Sequence, residues 1–194
     1  MSIPANDPKL QETLRAVPAV AFDGPAFRAI PGGDVVGNLT FEHLWAGTSA
    51  GRCNPAGVAR LHLSAEKKTA EAEFRYYAQK GGIDPDIAEC YSFAANVKLA
   101  RVLDLTDRKT RRRVNIALKQ ILAEWEPDPL KAPPPPTLLQ CIGYWASRGH
   151  GDFSAILCPS ARRTSGRNLV IFKGRLAASD SVVAMSKNPT KGFP

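Results

Sequence analysis

Cysteine is sparse in this 194-residue chain and never closely paired: Cys53, Cys90, Cys141 and Cys158 contain no C-x-x-C, and His43, His62 and His150 do not stand at ligand spacing beside them. No metal site is expected from such spacings, and the thiols read as reduced, with Cys141 and Cys158 in apolar runs that belong in a core. Long apolar runs are missing as well, since none approaches the roughly 18 residues of a membrane-spanning helix. No charged segment followed by an apolar one opens the chain, so a Sec-type leader is not expected. Internal repeats are absent. Acidic residues are in deficit, 18 against 26 Lys and Arg, which leaves a formal charge of +8.

With 44% hydrophobic and 23% charged residues the composition is globular, and the length suits one domain with ragged ends. The positive charge raises nucleic acid as a ligand, and the densest cluster is Arg108-Lys109-Thr110-Arg111-Arg112-Arg113. That cluster opens an amphipathic helix expected over residues 110–125, carrying Val114, Leu118, Ile121, Leu122 and Trp125. Cations at a helix start oppose its dipole, a placement that a bound anion relieves. No recognition motif or interleaved aromatic accompanies the cluster, so a solvated helix end competes with a basic, non-enzymatic nucleic-acid-binding surface.

Residues 51–77 organise the rest. Gly51 and Asn54-Pro55-Ala56-Gly57 carry turn chemistry, Leu61 and Leu63 alternate with His62 and Ser64 as a half-buried strand does, and Ser64 stands where a helix N-cap is expected. The helix that follows places Ala70, Glu73, Phe74 and Tyr77 on one face, so a carboxylate lies within its core-facing stripe, whereas Glu66 and Glu71 fall off it and are expected in solvent. An inward carboxylate needs a partner or shifts its pKa upward. A structural pair with an arginine and a chemical role for Glu73 are both open at this point.

Elsewhere the pattern predicts a short helix or loose arm near Leu10, Leu14 and Val17, and strands over Ala26–Ile30, residues 98–105, Phe153–Cys158 and Leu169–Phe172. Thr137 to Arg148 reads as a helix burying Leu138, Cys141, Ile142 and Trp145. Pro127, Pro129 and Pro133 to Pro136 read as an extended connector.

In that order, Gly51-Arg52-Cys53-Asn54-Pro55-Ala56-Gly57, His62-Leu63-Ser64 and Glu73 resemble the core of the RES domain, a bacterial toxin domain named for its Arg, Glu and Ser. Phe27-Arg28 resembles its early aromatic-Arg pair, Val102 to Thr106 its middle strand, and Ala155 to Ala161 with Asn168 to Phe172 its final strand-turn-strand. The resemblance runs over residues 25–175, between an arm at 1–24 and a tail at 176–194.

It implies an α/β fold, a small mixed sheet flanked by helices and ADP-ribosyltransferase-like. It also implies NAD+ as a substrate, not a resident cofactor, cleaved at its nicotinamide-ribose bond. Glu73 then stabilises the charge that builds on the ribose, and Arg28 and Arg52 match the family's arginines and suit the pyrophosphate. Ser160 matches the Ser of the family name, as a phosphate or ribose ligand or simply a turn serine; without G-x-S-x-G around it, it is not a nucleophile. Asn168 and Gln140 are further pocket candidates. The chain departs from the family at Cys53, where an aromatic is usual, and at His62, where Tyr is usual.

The acceptor stays open: water makes a glycohydrolase, inorganic phosphate as co-substrate a phosphorylase, a protein side chain a mono-ADP-ribosyltransferase. The resemblance also implies a neutralising partner, an antitoxin with a helix-turn-helix domain or an immunity protein. The +8 charge favours an acidic one. Nucleic acid enters only through such an antitoxin, and the expected location is the cytoplasm of the producing cell, or of a target cell if the protein is delivered.

Overall fold

A computed structural model describes residues 6–32, 40–84, 89–125, 135–186 and 188–191. Two long strands carry the architecture: β1 (Val20–Pro31) and β3 (Cys90–Asp104) pair antiparallel from Val20 opposite Val102 to Pro31 opposite Cys90. The other edge of β1 meets β2 (Leu61–Ser64) at Phe27 and Ser64, and β2 runs antiparallel to β5 (Arg167–Ile171). Strand β4 (Ala155–Pro159) is antiparallel to β5 and parallel to the end of β3, so the circuit β1-β2-β5-β4-β3 closes on itself. Strands β6 (Ser181–Ala184) and β7 (Thr190–Lys191) lie on the free edge of β3. The expected class, a mixed sheet flanked by helices, is the one observed.

Period-two alternation sorts the side chains into two cores. Ile30, Leu61, Leu63, Phe93, Val97 and Leu169 meet on one face of the circuit. On the other face Leu103, Ile156, Val170 and Phe172 pack against helices α1 (Pro8–Ala16) and α5 (Leu138–Ser147) and against Ile121 of α4 (Leu118–Leu122). His62, Ser64 and Asn168 alternate with the first set, so the strand pattern aims them at this second side.

Several expectations change. The arm expected at 1–24 is part of the domain: Asp7 caps α1 by accepting from the Leu10 amide, and Leu10, Leu14 and Val17 are buried. Removing a side chain such as Leu14, which is fully buried, costs about 2–5 kcal/mol. The expected tail likewise supplies β6 and β7. The single helix expected over 110–125 is two, α3 (Arg108–Arg113) and α4, broken where Asn115 takes φ 53°. Arg111, Arg112 and Arg113 therefore fill the last turn of α3, where the dipole favours cations, and only Arg108 and Lys109 keep the anticipated placement at a helix start.

Helix α5 is rotated from its expected stripe: Leu139, Gln140, Ile142, Gly143 and Ala146 are buried, while Leu138, Cys141 and Trp145 are only partly so. Gly143 is the reason. A Cβ there would lie 1.6 Å from the Cys53 carbonyl oxygen, so the 51–54 turn seats directly on the α5 backbone and draws the glycine face inward. Pro127, Pro129, Pro133 and Pro134 of the expected connector lie outside the described residues. All four cysteines are free, with the Cys53 and Cys158 sulfurs 3.3 Å apart in the core. Among the described residues no group of side chains is arranged to hold a metal ion, and no helix is long and apolar enough to cross a membrane.

Candidate active site

Helix α2 (Lys67–Lys80) lies over β1 and β2, burying Thr69, Ala70, Phe74 and Ala78. It starts after Glu66, which is its N-cap; Ser64 remains in β2 instead of capping it, and its hydroxyl donates to the Asn168 Oδ1 at 2.8 Å. Asn168 in turn donates from Nδ2 to Glu73 Oε1 at 2.7 Å, and Ser160 Oγ donates to the same oxygen at 2.8 Å. The carboxylate of the helix is thus clamped by the β4–β5 turn and by β5. Ser160 Oγ also accepts from the Arg162 amide at 3.0 Å, which is the turn-serine arrangement foreseen for it.

Glu73 forms the wall of a cavity of about 140 Å³ together with Phe27, Arg28, His62, Ser64 and Tyr77. Arg28 and His62 come from different strands, β1 and β2, so the sheet pairing at Phe27 and Ser64 is what brings them to one side of Glu73. His62 is held neutral: burial, then the positive charges of Arg28, Arg60 and Arg52, push its pKa down to about 3. Tyr77 is shifted upward by burial and then by the Glu73 charge. A flat neutral imidazole, a carboxylate and a guanidinium around one small cavity suit a polarised ring beside a centre that becomes positive.

Two expected site residues do other work in the fold. Arg52 is buried and does not line the cavity; its Nη1 donates to the carbonyls of Ile121, at 2.9 Å, and Ala123, closing the C-terminus of α4. Its charge is the last of the causes, after burial, Arg28 and Arg60, that lower the His62 pKa. Gln140, 2% exposed, donates to the Gly51 carbonyl at 2.9 Å and accepts from the Thr137 amide, capping α5 and pinning the turn that carries Arg52. The sequence reading missed Ser64 and Tyr77 as cavity residues, although the alternation that exposes His62 also places Ser64 on its face.

A second, larger cleft of about 510 Å³ lies between α4 and the loop that joins β4 to β5, with Ser160 on its wall; among the described residues the two cavities share no lining residue, and they are linked by the Ser160–Glu73 hydrogen bond. Arg162 closes one end, stacked 3.3 Å over the Tyr76 ring and paired with Glu124 at 2.8 Å. Glu66, expected in solvent, instead accepts from Arg167 Nε at 2.7 Å and from Thr69 at 2.8 Å.

No curated protein matches the chain. A chain of the crystal structure of the M. tuberculosis MbcT-MbcA toxin-antitoxin complex shares the fold, with a TM-score of 0.67 over 94% of this chain and 92% of that one, at 16% identity. The RES domain model matches residues 25–190, taking in β6 and β7 beyond the extent expected from the motifs, and the chain belongs to the RES domain family.

Proposed function

We propose that the protein is a toxin that cleaves the nicotinamide-ribose bond of NAD+. The observation that carries this is the Glu73 carboxylate, fixed by the neutral donors Ser160 and Asn168 at the wall of a cavity shared with Arg28 and His62. As that bond stretches, the electron pair leaves with nicotinamide, which departs neutral and needs no proton, while positive charge develops on the ribose ring. A prepositioned anion gains interaction as the charge grows, which lowers the barrier. Arg28 supplies a planar cation for the phosphate next to the ribose, and His62, neutral over the working pH range, offers a ring face for the nicotinamide. Water attacking the ribose carbon gives ADP-ribose and a proton; inorganic phosphate in its place gives the phosphorylated sugar. Transfer to a protein side chain uses the same donor half.

Arg52 contributes charge from behind the wall, and Gln140 contributes through the 51–57 turn. An antitoxin partner is proposed from the complex in which the structural neighbour was solved, and the +8 charge favours an acidic one. The test is nicotinamide release from NAD+ by the natural chain and by Glu73→Gln, with and without inorganic phosphate. Release by the natural chain that collapses in the variant supports the reading, and equal release from both removes Glu73 from the mechanism. Stimulation by phosphate separates phosphorylase from glycohydrolase.

A further inference from the structure

We propose that the cleft between α4 and the β4–β5 loop binds the adenylate half of the dinucleotide, an assignment that rests on the NAD+ reading above. The Glu73 cavity, at about 140 Å³, is well below the roughly 300 Å³ at which small-molecule sites begin, so it accommodates only the nicotinamide end. The remainder needs an adjoining space. The cleft of about 510 Å³ is the candidate, because Ser160 lies on its wall and one 2.8 Å hydrogen bond, from Ser160 Oγ to Glu73 Oε1, separates it from the Glu73 cavity.

The chemistry of its walls fits an adenosine phosphate. Leu118 and Leu122, one turn apart on α4, are 43% and 37% exposed and face the cleft beside Pro159, an apolar surface for a flat purine. Arginines form the opposite side. Arg162 and Arg167 are compensated by Glu124 and Glu66. Among the described residues, Arg111 donates to the Leu105 and Thr106 carbonyls and Arg163 contacts the Thr69 hydroxyl at 3.3 Å, so the contacts of both there are to neutral oxygens. Two cations that meet no carboxylate among the described residues, beside an apolar shelf, match one phosphate joined to one base.

Arg163→Glu and Leu118→Asp test this, with steady-state kinetics on NAD+ and on nicotinamide mononucleotide, which lacks the adenylate. Because the lost contacts serve binding remote from the reacting bond, KM for NAD+ rises about tenfold or more while kcat stays within about twofold. Nicotinamide mononucleotide kinetics follow those of the natural chain, and AMP, a competitor of NAD+ in the natural chain, no longer competes. An unchanged KM for NAD+, or an equal loss with both substrates, overturns the assignment. So does a variant that keeps its NAD+ kinetics but loses an acidic protein partner, which gives the cleft to that partner. If the natural chain releases no nicotinamide, the functional reading fails separately, and calorimetry with AMP still decides the cleft: binding abolished by Arg163→Glu sustains it, and no binding to the natural chain ends it.

Discussion

Glu66 and Glu73 sit two turns apart at the start and middle of α2, and the fold treats them in opposite ways. Glu66 is met by a guanidinium, the Arg167 side chain, as well as by the Arg167 amide at 2.9 Å and the Thr69 hydroxyl. Burial alone would raise its pKa, but the bonds from Arg167 and Thr69 outweigh that and hold it low. Glu73 is gripped by the hydroxyl of Ser160 and the amide of Asn168. Both carboxylates are oriented, but a cation beside a carboxylate cancels most of its field, whereas neutral donors leave it available to a positive charge that develops later. One glutamate ties α2 to β5 through an ion pair; the other is kept in position by neutral donors.

The sharpest way to break this comparison is Glu73→Gln. The amide keeps the shape and can still accept from Ser160 and Asn168 through its oxygen, so the fold should hold within about 1 kcal/mol while the charge is lost. Nicotinamide release is expected to fall by about 10²–10³, the scale of removing one preorganised electrostatic group. Thermal unfolding of the same sample reads the stability. Next in size is Asn168→Ala, which strips one donor from Glu73 and orphans the buried Ser64 hydroxyl. A stability loss of about 1–3 kcal/mol is expected, from the unmet polar groups. With Glu73 less well oriented, kcat should drop about 10- to 100-fold. Loss of stability with full kcat would mean that Ser160 alone positions the carboxylate.

Much of the site could be read from the chain because its signals are local. Alternation in Leu61–Ser64 and helical spacing around Glu73 each depend on a few neighbouring residues, and they set His62 off the Leu61 and Leu63 face and Glu73 within the core-facing stripe of its helix. The roles of Arg52 and Gln140 were not legible, since they depend on which way α5 turns, and that is set by one close approach, Gly143 against the Cys53 carbonyl. Nothing in the periodicity of residues 138–147 announces that contact, and the apolar stripe chosen from spacing alone came out rotated. The two short helices at 108–122 were merged for a similar reason: the break at Asn115 needs a left-handed residue, which asparagine tolerates but does not demand. Ser64 was assigned to a cap because its hydroxyl has a local use there; its actual partner, Asn168, is distant in sequence and adjacent only through β2–β5 pairing.

Acid sensitivity sharpens the same contrast from the cationic side. His62 has a pKa of about 3 in the folded protein against about 6.5 when unfolded, so between those values the unfolded chain binds the extra proton. The His62 contribution to stability is complete above pH 6.5 and is lost progressively as pH falls toward 3, with a slope of at most about 1.4 kcal/mol per pH unit. His62→Phe removes that slope. Comparing urea midpoints for the two chains from pH 7 to pH 4 should show the natural chain losing stability relative to the variant as the pH drops, and parallel curves would show that neither burial nor the three arginines depress this ring.

The smallest effect is expected at Glu66, and it completes the comparison. Glu66→Gln keeps acceptors for the Arg167 amide and the Thr69 hydroxyl but deletes the ion pair, whose partners are 28% and 44% exposed. Solvent screens such a pair, so the loss should be about 0.5 kcal/mol and should shrink further in 1 M salt. The kcat for nicotinamide release should stay within about twofold of the natural chain, because the charge removed here was already cancelled by Arg167 before any substrate arrived. A large fall in kcat from this substitution would mean that the two glutamates act together, and that the charge of Glu73 is not alone in facing the reacting bond.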